Sequence, residues 1–92
     1  MPVYVDSLVN YGWKRGPSCH LIADTVSELK TFAVWIGLRL EWYQPKSSPH
    51  FDLTADARAY AIKHGAIELD RRAFVEKIRE LSKGRAPIIL AS

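Results

Sequence analysis

The chain has 92 residues, 48% of them hydrophobic, one cysteine, and 13 basic against 10 acidic side chains for a net charge of +3. That size and composition fit one folded domain over residues 1–92 rather than a disordered chain. A lone cysteine excludes an internal disulfide and a four-thiolate zinc site, no apolar run approaches the roughly 20 residues of a membrane helix, and the N-terminus lacks a signal-peptide pattern, so a soluble cytoplasmic protein with no membrane partner is expected.

Val3-Tyr4-Val5-Asp6 reads as a first strand. A loop follows from Leu8 to Ser18 and carries Gly12-Trp13-Lys14-Arg15-Gly16. His20-Leu21-Ile22-Ala23 reads as a second strand. Thr25-Val26-Ser27-Glu28 fits a capping box, and Val26, Leu29, Phe32, Ala33 and Ile36 recur at helical spacing behind it. Gly37 is the expected left-handed stop. Leu38 to Tyr43 alternates for its first four residues and reads as a third strand. A polar loop, Gln44 to Pro49, comes next.

The second helix opens at Thr54, with Ala55, Ala59 and Ile62 on one face and Ala61 alongside. Gly65 ends it, and Ala66-Ile67-Glu68-Leu69 reads as a short strand. Asp70 caps a third helix whose apolar stripe is Phe74, Val75, Ile78 and Leu81. Gly84 closes it, and Pro87 to Leu90 is a last strand or an ordered tail. Strands alternating with helices predict a small single-domain α/β fold, with a mostly parallel sheet of about four strands and three helices.

In open α/β sheets, ligands gather beyond the carboxyl ends of the strands. Asp6, Asp24 and Gln44 all fall at such ends, and Gln44 leads into Pro49-His50-Phe51-Asp52-Leu53-Thr54 ahead of a helix start. Asp6, His20, His50 and Asp52 together offer two imidazoles and two carboxylates. Such a set suits general acid–base catalysis, or a divalent metal such as zinc, manganese or iron. Purely structural roles compete. Asp52 can cap the second helix in rivalry with Thr54, and His50 can donate to a backbone carbonyl. Arg58, one turn past Thr54, is placed to grip a phosphate at that helix start, or to pair with Asp52 or Asp56.

Other constellations read more plainly. Cys19 precedes His20, but neighbouring strand side chains point to opposite faces, so a buried and inert thiol is expected. Trp13, Lys14 and Arg15 have the chemistry to stack on a base and pair a phosphate, yet a connecting loop with Trp13 folded onto the core is the preferred reading. Of Trp42 and Tyr43, one is expected in the core and the other at a pocket. Residues 54–92 hold the entire positive surplus, eight basic against five acidic. This reads first as a solvated helix face of mixed sign, and second as a nucleic-acid footprint.

Several of these pieces together resemble Domain of Unknown Function 4031, a family of short bacterial and bacteriophage proteins. The matching residues are Tyr4-Val5-Asp6, His20-Leu21 with Asp24-Thr25, Glu28-Leu29, Phe32-Ala33 and Gly37-Leu38. His50-Phe51-Asp52 falls on the family's histidine–aromatic–aspartate motif, with Phe51 where tyrosine is commoner, and Arg58 and Gly65-Ala66 complete the likeness. The resemblance reaches to about Leu81. It implies that Asp6, His20, His50, Asp52 and Arg58 belong to a family pattern, and it suggests an accessory role of the phage or mobile-element kind.

Two functions are then expected. In the first, Asp6, His20, His50 and Asp52 form a site that binds or acts on a phosphate-containing ligand, a nucleotide or nucleic acid. A divalent metal assists, and Arg58, Asp24, Trp42 and Gln44 contact the ligand. In the second, the chain is a non-catalytic interaction protein. It engages a macromolecule through the basic third helix (Arg71, Arg72, Lys77, Arg79, Lys83) or an exposed aromatic loop, and a homodimer through a strand edge fits this case.

Overall fold

Alternation along three strands decides the architecture. In a computed structural model that describes residues 2–45 and 48–83, β1 (Val3–Val5), β2 (Ser18–Ala23) and β3 (Phe51–Thr54) each send alternate side chains to opposite faces. One face collects Val3, Val5, Cys19, Leu21, Ala23, Phe51 and Leu53, all buried in the main core. The other face receives Tyr4, Ile22, His20 and Asp52. β4 (Ile67–Glu68) completes a four-stranded sheet in the order β3-β2-β1-β4.

Helices α1 (Val26–Trp35) and α2 (Ala55–Lys63) cover the apolar face. They supply Leu29, Phe32 and Ala33 from α1 and Ala61 from α2. Thr25 caps α1 by accepting from the Glu28 amide at 3.1 Å, and Thr54 caps α2 by accepting from the Ala57 amide at 3.2 Å. Gly37 follows α1 at φ +94°, a left-handed conformation that L side chains rarely adopt. Helix α3 (Arg71–Lys83) crosses the opposite face, where Phe74 is buried against Tyr4 and Ile22 with Ile78 and Leu81 alongside. Asp70 accepts from the Ala73 amide at its start.

The α/β class, the three helices and the four strands agree with the sequence expectation, but the sheet is mixed. β1–β2 and β2–β3 are antiparallel, and only β1–β4 is parallel. Residues 38–43 do not form the expected strand. They hold a single 3-10 turn, Leu40–Trp42, with exposed side chains. The third strand is instead Phe51–Thr54, and it pairs with β2. On α2, Ala61 and Ile62 turn inward as expected, but Ala55 and Ala59 are exposed and Ala57 takes their place against the core. Val26 and Val75 are likewise partly exposed. The expected stop at Gly84 and the segment Pro87–Leu90 lie outside the described residues. No helix among the described residues is long and apolar enough to cross a membrane.

Candidate metal centre

Sheet register builds the site. His20 stands opposite Asp52 on the neighbouring strand, and the Asp6 amide donates to the His20 carbonyl at 3.4 Å just beyond β1. Three polar side chains therefore lie in a row across three strands, on the face that α3 only half covers. His50 precedes Asp52 by two residues and shares that face. Its backbone exchanges two hydrogen bonds with Gln44, at 2.9 and 3.0 Å, closing the intervening loop. The His20 and His50 rings meet edge to face with centroids 5.3 Å apart.

Each of the three central side chains is held from behind. One Asp6 carboxylate oxygen accepts the His20 main-chain N–H at 2.6 Å, and the other lies 2.9 Å from His20 Nδ1. His50 Nδ1 lies 2.7 Å from the Ser48 carbonyl oxygen. Gln44 Nε2 donates to Asp52 Oδ2. A carboxylate and a carbonyl only accept, so both imidazoles carry their proton on Nδ1. Nε2 of each ring points toward Asp52 Oδ1, at 3.9 Å from His20 and 3.5 Å from His50, and in a neutral ring it presents a lone pair there.

His20, His50 and Asp52 each bring one potential ligand atom within 4.8 Å of the other two. With both rings neutral these acceptors would repel, and either a proton on Nε2 or a cation at their centre removes the repulsion. The separations are long for charge-assisted hydrogen bonds, which run about 2.7–2.9 Å. The two distances to Asp52 Oδ1 approach the edge of about 3.4 Å expected of a tetrahedron with bonds of about 2.1 Å. The Asp6 hydrogen bond raises the pKa of His20 above its ordinary value. Partial burial opposes that shift, and the charges of Asp6 and Asp52 add to it.

Two clefts flank this row. One, of about 340 Å³, runs between the sheet and α3 and is lined by Asp6, Tyr11, His20, His50, Arg71 and Phe74 among others. The second, of about 520 Å³, lies beyond β3 and includes Trp13, Arg15, Trp42, Tyr43, Gln44 and Asp52. Asp52 sits between them. Its Oδ1 faces the imidazoles and its Oδ2 faces Gln44.

Asp6, His20, His50 and Asp52 therefore come together, though on a face of the sheet rather than at a rim. Antiparallel pairing sends the carboxyl ends of β1 and β2 to opposite rims. That separates Asp24, whose carboxylate accepts from the Tyr4 hydroxyl at 3.1 Å. Arg58 also lies outside the cluster. Its Nε donates to the Asp6 carbonyl at 2.8 Å and its Nη2 meets Glu68 at 3.1 Å, so its guanidinium braces the backbone behind the site. Asp52 caps no helix, because Thr54 does so. Gln44 contacts a site residue, and Trp42 lines the second cleft. Tyr43 packs against the core, as one of the pair was expected to do. Trp13 does not fold onto the core and remains 41% exposed. Cys19 is buried, and burial first, then the Asp6 charge, push its thiol up to about 12. Tyr11, Arg71 and Phe74 carry no sequence signal toward the site, since the Leu8–Ser18 loop and α3 reach it only through tertiary packing.

Over residues 3–81 the chain matches the model of a family described as a protein of unknown function, DUF4031. The chain belongs to the DUF4031 family. Nothing among curated proteins and nothing among solved structures matches it. The DUF4031 match runs from the first residue of β1 into the last turn of α3, so it contains every residue of the cluster and of both clefts named above.

Proposed function

We propose that His20, His50 and Asp52 hold a divalent transition metal, which acts as a Lewis acid on a phosphate-containing ligand such as a nucleotide or nucleic acid. One observation carries this reading. Both imidazoles are committed through Nδ1 to acceptors behind them, so their Nε2 atoms, the ones left to bind a metal, converge with a carboxylate oxygen. Two histidines and a carboxylate suit zinc, iron or manganese. The partners on Asp6, Ser48 and Gln44 are the outer contacts that orient metal ligands.

Three protein ligands leave coordination positions open, which is the pattern of catalytic rather than structural sites. The open side meets the cleft under α3. A metal held by His20, His50 and Asp52 would supply Lewis-acid activation of water for attack on a phosphate ester in that cleft. Hydrolysis would form one P–O bond to the water oxygen and break the ester P–O bond, and the leaving alkoxide would take a proton from solvent. Arg71, at the margin of this cleft, supplies positive charge near the ligand.

Calorimetric titration of chelator-stripped protein tests the binding step. One equivalent of zinc or manganese is expected to bind, and His20→Ala and His50→Ala are each expected to abolish it. Hydrolysis of bis(p-nitrophenyl) phosphate tests the chemistry. Absence of metal uptake, together with a stability loss in His50→Ala, would reduce the cluster to scaffold.

The interaction-protein reading draws less from α3 than the sequence suggested, because Arg72 and Lys77 face Glu76 and Glu80 on the same helix. It draws more from an exposed aromatic group elsewhere. Trp35 and Tyr60 both lie against His64 on the α1–α2 side, at 5.1 and 4.3 Å between ring centroids. If this patch makes a homodimer, sedimentation equilibrium registers it and Trp35→Asp returns the monomer.

A further inference from the structure

We propose that the second cleft is a base-binding subsite for a nucleotide unit whose phosphate lies at the metal; this rests on the metal and phosphate reading above. The cleft has the size of a small-ligand site, about 520 Å³. Its walls carry two indoles, and both are partly open to solvent: Trp13 is 41% and Trp42 43% exposed. Every nucleobase has a π-face that stacks on such rings, whatever its hydrogen-bonding edge.

Trp13 is presented by a built turn. Gly12 at φ +83° and Gly16 at φ +89° bracket it, in a conformation that favours glycine. The Gly16 amide donates to the Trp13 carbonyl at 3.0 Å, and the Gly12 amide donates to the Asn10 side chain at 2.9 Å. Val9 and Ser18 pair their backbones at the base of the loop. Trp42, also in the lining, closes the 3-10 turn, and its amide donates to the Arg39 carbonyl at 3.0 Å.

The polar groups suit a nucleotide. Arg15 brings a positive charge from the same turn as Trp13, while Glu41, also in the wall, is drawn toward Arg39 at 3.7 Å. Gln44 spends one side-chain N–H on Asp52, leaving its amide oxygen and its other N–H for a base edge. Asp52 belongs both to this cleft and to the proposed ligand set. A ligand seated on the indoles would therefore reach its phosphate past Asp52 toward the proposed metal.

Tryptophan fluorescence provides the test, read while zinc-loaded protein is titrated with thymidine monophosphate, adenosine monophosphate, ribose 5-phosphate and a short oligothymidylate. Saturable quenching by both nucleotides and much weaker binding of ribose 5-phosphate are expected. Trp13→Ala and Trp42→Ala should each weaken nucleotide binding roughly 5- to 100-fold, with Trp13→Phe recovering part of it. Trp35→Phe, at a residue that lines neither of these two clefts, should bind as the parent does. Tighter binding of the oligonucleotide assigns the unit to a strand, and tighter binding of the monophosphate assigns a free nucleotide. Equal affinity for ribose 5-phosphate, or unchanged nucleotide affinity in both indole variants, would overturn the proposal. Zinc uptake is measured separately in each protein. Zinc binding without nucleotide quenching ends the subsite and leaves the metal reading intact. Quenching in a protein that takes no zinc supports the base subsite and ends the metal reading.

Discussion

Asp6 is the residue on which the geometry of His20 depends. Its carboxylate takes the His20 main-chain N–H with one oxygen and faces Nδ1 with the other. Asp6→Asn keeps the shape but replaces one acceptor oxygen with a donor, so at most one of those contacts survives. As a positioning residue on a proposed ligand, it should lower zinc affinity about 10- to 100-fold, the usual effect of losing such a partner. Retention of parental affinity by calorimetry would show that the imidazole is oriented by other contacts. Cys19, on the opposite face of the same strand, behaves differently. Its thiol is pushed up to about 12 by burial and then by the Asp6 charge, so the folded state holds this proton more tightly than the unfolded chain does. The resulting stabilisation is full below the unfolded value near 9 and is lost as pH rises toward 12. At pH 8 the native protein should leave an aromatic disulfide reagent unreacted, and one thiol should appear on unfolding.

At the scale of elements, α3 is the weakly anchored piece. Phe74 is its one buried residue among those described, packed on Tyr4 and Ile22 with Ile78 and Leu81 half-buried beside it. Phe74→Ala should cost about 3–5 kcal/mol, a large share of the 5–15 kcal/mol typical of a domain. Because the proposed metal ligands lie on or beside β2 and β3, zinc stoichiometry should survive. Hydrogen exchange should then find α3 amides exposed while β2 stays protected, and equal loosening of both would mean that the sheet cannot stand without α3. The helices were legible because their ends carry local chemistry: Thr25, Thr54 and Asp70 as caps, Gly37 and Gly65 as left-handed stops. Strand β3 was hidden for a local reason too. Phe51-Asp52-Leu53-Thr54 alternates inward and outward, but over only four residues, and Thr54 already belongs to the cap of α2. Leu38 to Leu40 imitates that alternation, yet no neighbouring strand pairs with it and Leu40 is left exposed. The residue types of the candidate site were readable, while their meeting place was not. Register across an antiparallel pair, which sets His20 against Asp52, is a tertiary fact with no local signal.

For the molecule as a whole, the same row of side chains joins parts of the chain that are far apart. His20 lies on β2, while Asp52 lies on β3 and His50 just before it, with all of α1 and the 3-10 turn between them in sequence. An unfolded chain does not hold these groups together, so a metal that bridges them binds the folded state almost exclusively. Its binding free energy then adds to folding stability as RT ln(1 + [L]/Kd), about 2.7 kcal/mol at a free metal concentration of 100 Kd. For a domain of this size each kcal/mol moves the midpoint by roughly 4–8 °C, so saturating zinc should raise Tm by 10 °C or more. Exposed carboxylates scattered over the surface, such as Glu41 and Glu80, would give a small rise that excess magnesium and calcium reproduce. The bridging site should respond to zinc or manganese far more than to those ions, because imidazole nitrogen is a poor ligand for hard cations. Differential scanning fluorimetry of the parent beside His20→Asn and His50→Asn separates the two cases. A zinc-specific shift that disappears in both variants is the expected result. A shift that persists in either variant would place the metal elsewhere and leave these lone pairs without their cation.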